Sequence, residues 1–124
     1  MPLPLRVAVV GAGHLGRHHA RIYAGIPQVQ LVGVADVALD RAQRLATAHG
    51  ATAAVSDYRD LIPQVDAASI AVPTRGHFAV ARDFIEQGRH VLIEKPFAYS
   101  LAEADELLRL ADLRGVAIQV GHVE

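Results

Sequence analysis

The chain has 124 residues, a length that suits one domain, and 52% of them are hydrophobic, enough to bury a sizeable core. Formal net charge is −1 and there is no basic run, so the electrostatic case for a nucleic-acid partner is absent. With no cysteine, a disulfide framework and a cysteine-ligated metal are excluded; the apolar runs are strand-length, so neither a signal peptide nor a membrane span is expected, and the expected location is cytoplasmic.

Strand and helix patterns alternate along the chain. Leu5–Val10 is a β-branched run and reads as a first buried strand. His14–Ala24 reads as a helix with Leu15, Ile22 and Ile26 on one face, closed by Pro27. Val29–Ala35 is the second strand, and Leu39–His49 a helix ended by Gly50. Ala51–Val55 is a weak third strand. Ser56 is placed to cap a short helix over Asp57–Ile62, which Pro63 stops. Ala67–Val72 is the fourth strand. Thr74 is placed to cap a helix from Arg75 to Gln87, with Phe78, Ala81 and Ile85 as its buried stripe. His90–Ile93 is the fifth strand. Ser100, Leu101, Ala102 and Glu103 form a capping-box pattern, opening a last helix that ends near Gly115 and turns Leu101, Ala104, Leu108 and Ala111 to the sheet. Val116–Val120 is the sixth strand. Parallel neighbours need crossovers, so this alternation predicts a doubly wound α/β sheet of strand order 3-2-1-4-5-6, with ligand bound beyond the carboxyl ends of the strands.

One such end carries Gly11-Ala12-Gly13-His14-Leu15-Gly16, and the next strand closes on Asp36. A strand, this glycine spacing, a helix and an acid about 20 residues on make a dinucleotide-binding fingerprint. Gly11 permits the tight turn, Gly13 lets a pyrophosphate approach the backbone, and Gly16 lets the helix pack closely. The helix aims its unpaired N–H groups at the phosphates, with His14 and Leu15 in its first turn. Asp36 is placed to accept from the adenine-side ribose hydroxyls. Val37 follows it, so a 2′-phosphate would meet a carboxylate and no adjacent cation, which favours NAD over NADP; Arg41, five residues on, is within reach and moderates that preference.

Lys95 is the only lysine among twelve Lys and Arg residues. It stands between Glu94 and Pro96 at the end of the fifth strand, where a lysine is able to titrate or set a compact charge beside a reacting oxygen. His14 and His18 have i, i+4 spacing and His19 adjoins them, but no carboxylate stands between the pair, so no metal is expected. His49 and His90 read as surface or strand-edge residues. Tyr99 either borders the site or packs. Glu103, Asp105 and Glu106 suit the start of a helix.

The order G-A-G-H-L-G, A-D-V, A-V-P-T-x-x-H and G-R-H-V-L-I-E-K-P resembles the N-terminal half of the Gfo/Idh/MocA oxidoreductases, over Leu5 to Glu124. The resemblance implies a Rossmann domain of an NAD(P)-dependent dehydrogenase acting on sugars, inositols or nucleotide sugars. It implies that Lys95 binds or polarises the reacting hydroxyl and that Glu94 and Pro96 shape the nicotinamide-ribose pocket. It also implies that Val72, Pro73, Thr74 and His77 line the cofactor site. Members of the family continue into a second α/β domain with the substrate pocket and usually a histidine in a D-x-x-x-H pattern. That pattern does not occur here, so the expectation is a cofactor-binding domain, residues 1–124, whose small-molecule substrate needs a further domain and whose full-length form is a homo-oligomer.

Three other classes share parts of this pattern. A non-catalytic dinucleotide-binding or sensor module is the alternative to an enzyme. A short-chain dehydrogenase needs tyrosine four residues before its lysine, and position 91 is Val91. A methyltransferase has an acid just before its glycine loop, where Val9 and Val10 stand.

Overall fold

The computed structural model describes residues 4–94 and 98–121. In chain order it runs β1 (Leu5–Val10), α1 (His14–Ala24), β2 (Val29–Ala35), α2 (Leu39–His49), β3 (Ala53–Val55), a 3-10 stretch (Tyr58–Gln64), β4 (Ala67–Ile70), a 3-10 turn (Thr74–Gly76), α3 (His77–Glu86), β5 (His90–Glu94), α4 (Leu101–Arg114) and β6 (Ile118–Gly121). The strands form one parallel sheet in the order β3-β2-β1-β4-β5-β6, the doubly wound arrangement expected from the crossovers. The order reverses at β1 and β4, so the ends of these two strands open onto a crevice.

Alternation along each strand splits the core into two layers. In β1, Ala8 and Val10 face one cluster with Leu61, Ile70, Phe84, Ile93 and Leu107; Val7 and Val9 face the other, with Ala20, Leu31, Val34 and Leu45. The first layer is covered by α3, α4 and the 3-10 stretch, the second by α1 and α2.

Several local expectations are corrected. The short helix is 3-10 rather than α, and Asp57, not Ser56, caps it by accepting from the Arg59 N–H at 3.0 Å. Pro63 lies inside it rather than ending it, because its fixed φ suits that geometry. Thr74 does not cap α3: the Thr74–Gly76 turn, closed by the Gly76 N–H on the Pro73 carbonyl, comes first, and α3 begins at His77. The third strand starts only at Ala53 and the sixth at Ile118. The Ala51 and Val116 N–H groups instead close the preceding helices on Ala46 and Ala111. Two helices turn differently from their predicted faces. In α1 the buried residues are Gly16, His19 and Ala20, while Ile22 is 45% exposed. In α4 they are Leu107, Leu110 and Ala111, so only Ala111 of the expected face is buried, while Leu101 is 78% exposed. Ser100 does cap α4, accepting from Glu103 N–H, and the Glu103 carboxylate reaches back to the Tyr99 N–H. Tyr99 is exposed and receives a hydrogen bond from Arg75, whose guanidinium also lies 4.6 Å over its ring.

Candidate dinucleotide site

The turn out of β1 demands glycine twice over. Gly11 has φ +105°, and a Cβ there would lie 2.6 Å from the Ala71 carbonyl oxygen. Gly16 sits so close beneath the loop that a Cβ would lie 1.7 Å from the Gly11 carbonyl oxygen. Gly16 therefore lets α1 close onto the loop's own backbone. Around Gly13 the situation is opposite: a Cβ would meet nothing within 4 Å. That space is open, as an approach route for a phosphate must be. Gly13 is also the N-cap of α1, with no side-chain cap and no acid in the first turn. The first N–H groups of the helix therefore have no side chain serving them.

Asp36 directly follows β2, half-buried beside this loop. One carboxylate oxygen accepts from the Ala12 N–H at 2.7 Å and the other from the Ala38 N–H at 2.8 Å. These bonds hold the carboxylate at the rim and join the glycine loop to the start of α2. Each oxygen keeps a further lone pair for a hydroxyl donor.

A cavity of about 650 Å³ opens at this point. Its walls include Gly11, Gly13, His14 and Leu15 from the loop and α1, Asp36, Val37 and Arg41 from the β2–α2 link, and Val72, Pro73 and Gly76 beyond β4. The size falls within the range of cofactor pockets. Ser56 and Tyr58 close the β3 side. Sequence reasoning missed both as site residues, although their place just after the third strand puts them on the same rim. Tyr58 is held there by its hydroxyl, which donates to Asp83, and by its ring, stacked on Phe84 with centres 5.9 Å apart. Burial, reinforced by Asp83, pushes the Tyr58 hydroxyl up to about 12.

The remaining expected residues lie away from the described walls of this cavity or outside the described residues. Thr74 and His77 do not appear in the described walls of the cavity. His77 is buried behind them, and its Nε2 donates to the Val72 carbonyl at 2.9 Å, so it braces the wall. Glu94 lies under α1, 8% exposed, with its Oε1 2.9 Å from Nε2 of His19, itself 4% exposed. His19 Nδ1 and Glu94 Oε2 are buried with no hydrogen-bond partner among the described residues. The β6 backbone presses against this carboxylate: a Cβ on Gly121 would lie 2.9 Å from Glu94 Oε1. Lys95 and Pro96 lie outside the described residues. His18 is turned to Arg21 and His19 to Glu94, so the neighbouring histidines serve different partners.

A parallel sheet with this order, a glycine turn feeding a helix and an acid at the end of the second strand define a dinucleotide-binding domain. The chain belongs to the Gfo/Idh/MocA oxidoreductase family, whose NAD-binding Rossmann-fold model matches residues 5–122. It is 43% identical over 120 residues to the UDP-N-acetylglucosamine 3-dehydrogenase of Acidithiobacillus ferrooxidans, covering 97% of this chain and 37% of that one. It is 33% identical over 116 residues to the NADP-dependent scyllo-inositol 2-dehydrogenase of Bacillus subtilis, covering 92% of this chain and 35% of that one. Among solved structures, GenD2 from gentamicin A biosynthesis, in complex with NAD, superposes with a TM-score of 0.92 at 34% identity, covering 98% of this chain and 35% of that one. The chain thus spans little more than a third of the length of these relatives.

Proposed function

We propose that this chain is the cofactor-binding part of a dehydrogenase that oxidises a secondary alcohol of a sugar, an inositol or a nucleotide sugar, with NAD as the preferred acceptor. The observation that carries the reading is the Asp36 carboxylate held at the cavity rim beside the open backbone of Gly13. When bound, the nicotinamide supplies the hydride-accepting ring; the protein supplies orientation and proton handling. In this reading the first turn of α1 holds the pyrophosphate, Asp36 accepts from the ribose hydroxyls, and Val72 and Pro73 flank the far end. Lys95 sets its charge beside the substrate oxygen. The substrate pocket and the subunit contacts of a homo-oligomer belong to a further domain, and the enzyme works in the cytoplasm.

Calorimetric titration of NAD and NADP tests the cofactor reading. NAD binds more tightly than NADP, and Asp36→Ala weakens NAD by about tenfold or more while narrowing the difference, as loss of charge-assisted hydrogen bonds requires. Gly13→Val abolishes binding of both while the far-ultraviolet circular dichroism is kept, because the new side chain fills ligand space and not the core. Unchanged affinity in the Gly13 variant would reduce the loop to a turn. In the full-length enzyme, Lys95→Ala lowers turnover by roughly 10²–10⁴-fold, with much less effect on NAD affinity.

A further inference from the structure

Beneath α1, on the face of the sheet away from Phe84, the last residue of β5 turns its carboxylate inward. Glu94 is 8% exposed and is absent from the described walls of the cofactor cavity. Its Oε1 accepts from the Nε2–H of His19, itself 4% exposed, at 2.9 Å. From the other side β6 closes on it. Gly121 pairs in register with Glu94, and a Cβ there would lie 2.9 Å from Oε1 and 3.2 Å from Oε2. The carboxylate is thus gripped between α1 and β6, while its second oxygen and the second His19 nitrogen have no hydrogen-bond partner among the described residues.

Stability alone does not account for this pair. Two buried ionisable groups, each with an orphaned atom, carry a desolvation cost that one hydrogen bond offsets only in part. An apolar pair of similar volume would fill the slot at least as favourably. What hydrocarbon would not supply is direction. Apolar side chains tolerate a slide of helix against strand, whereas a donor and acceptor at 2.9 Å do not. The bond also joins two particular places. His19 lies in the second turn of the helix that follows the glycine loop, and Glu94 is followed directly by Lys95, the only lysine of the chain.

We propose that His19 and Glu94 are positioning residues: their bond fixes the end of β5 to the helix of the glycine loop and so places Lys95 relative to the bound cofactor. The proposal rests on the readings of the cofactor site and of Lys95 given above. His19 and Glu94 act through Lys95 and not on the reacting atoms.

The single lysine makes the test direct. The chain produced with isotopically labelled lysine gives one set of lysine signals in nuclear magnetic resonance, all from Lys95. NAD is titrated into it, and the change in those signals is followed beside calorimetric affinity and thermal midpoint. In the unmodified chain NAD is expected to shift the Lys95 signals. The double variant His19→Leu, Glu94→Leu replaces the buried ionisable pair by an apolar one, so the thermal midpoint is expected to stay near that of wild type. Its NAD affinity is expected to change by less than roughly threefold, while the shift of the Lys95 signals falls by about half or more, because apolar packing leaves the strand end free to slide. His19→Gln offers an N–H near the place of the imidazole Nε2–H and is expected to keep the wild-type response. Where the double variant does not fold, Gly121→Ala carries the same test, since its methyl group crowds the carboxylate away from His19. A wild-type response of Lys95 in the double variant, or in Gly121→Ala where that variant decides, would overturn the proposal and leave the pair to packing alone. So would failure of His19→Gln to keep the response. NAD bound with no response of Lys95 in the unmodified chain would overturn it together with the reading of Lys95, and no binding of NAD would remove the dinucleotide reading as well.

Discussion

On the face of the sheet covered by α3 and α4, the contacting side chains are hydrocarbon almost throughout, and Leu61, Ile70, Phe84, Ile85, Ile93 and Leu107 are fully buried. On the opposite face, α1 brings His19 and Tyr23 down beside the sheet. There His19 meets Glu94 of β5, and the Tyr23 hydroxyl meets that of Ser69 in β4, whose side chain is fully buried. Burial holds the Tyr23 hydroxyl above its usual range. Apolar packing is non-directional and tolerates small slides of a helix. Hydrogen bonds between buried groups do not, because an unpaired partner costs more than the bond gains. The face with directional contacts is the one whose helix carries the glycine loop in its first turn. We read the polar contacts as fixing the register of α1 against β4 and β5, and the apolar face as supplying most of the stability.

The largest expected effect lies on the apolar face. Phe84→Ala should cost about 3–5 kcal/mol of unfolding free energy in urea denaturation, since it empties the centre of that layer and unstacks Tyr58. A cost near zero would remove the distinction between the faces. On the polar face, His19→Leu leaves the Glu94 carboxylate buried without its partner and should cost about 1–3 kcal/mol. Adding Glu94→Leu should recover most of that, because an apolar pair of similar volume replaces a buried ionisable one at little cost. Costs that simply add in this double-mutant cycle would show that the pair is not a unit.

Smaller effects sharpen the picture. Tyr58→Phe keeps the ring on Phe84 and loses only the bond to Asp83, so about 0.5–1 kcal/mol is expected for this half-exposed hydroxyl. Because the folded Tyr58 hydroxyl is pushed up to about 12, its contribution is complete below the ordinary tyrosine value, ~10, and is lost as pH rises through the folded value. The difference between wild type and Tyr58→Phe should therefore shrink across that interval. The smallest effect belongs to neither face. At the amino end of the sheet, the Arg6 guanidinium and N–H hold the Asp66 carboxyl below its usual range. A depressed carboxyl stabilises above its unfolded value and ceases to do so as pH falls through the folded one. The small deficit in denaturation midpoint of Asp66→Asn at neutral pH should vanish in acid.

How much was legible beforehand depended on whether the cause was local. The bounds of β1, β2, α1 and α2 are those read from the chain, because apolar runs, glycine stops and the fingerprint turn act within a few residues. The strand order followed from the handedness of crossovers, which holds for any such alternation. Gly11, Gly13, Gly16 and Asp36 were found because their spacing is itself the chemistry of the turn.

What the chain left open was decided between distant residues. In α4 the expected stripe runs through Leu101, Ala104, Leu108 and Ala111 and another through Leu107, Leu110 and Ala111; local periodicity fits both, Ala111 is buried in either, and packing against α3 and the sheet chose the second. In α1 the face was set by Gly16 closing on the loop and by His19 reaching Glu94, a partner 75 residues away with no mark in the local pattern. The placing of Tyr58 on the cavity wall is likewise tertiary, since its ring stacks on Phe84 from a separate crossover. The sequence by itself determined the fold and the glycine turn, because both follow from backbone geometry over short spans. The tertiary structure decided which helix faces are inside and which polar groups meet beneath them, because those depend on how the crossovers lie against one sheet.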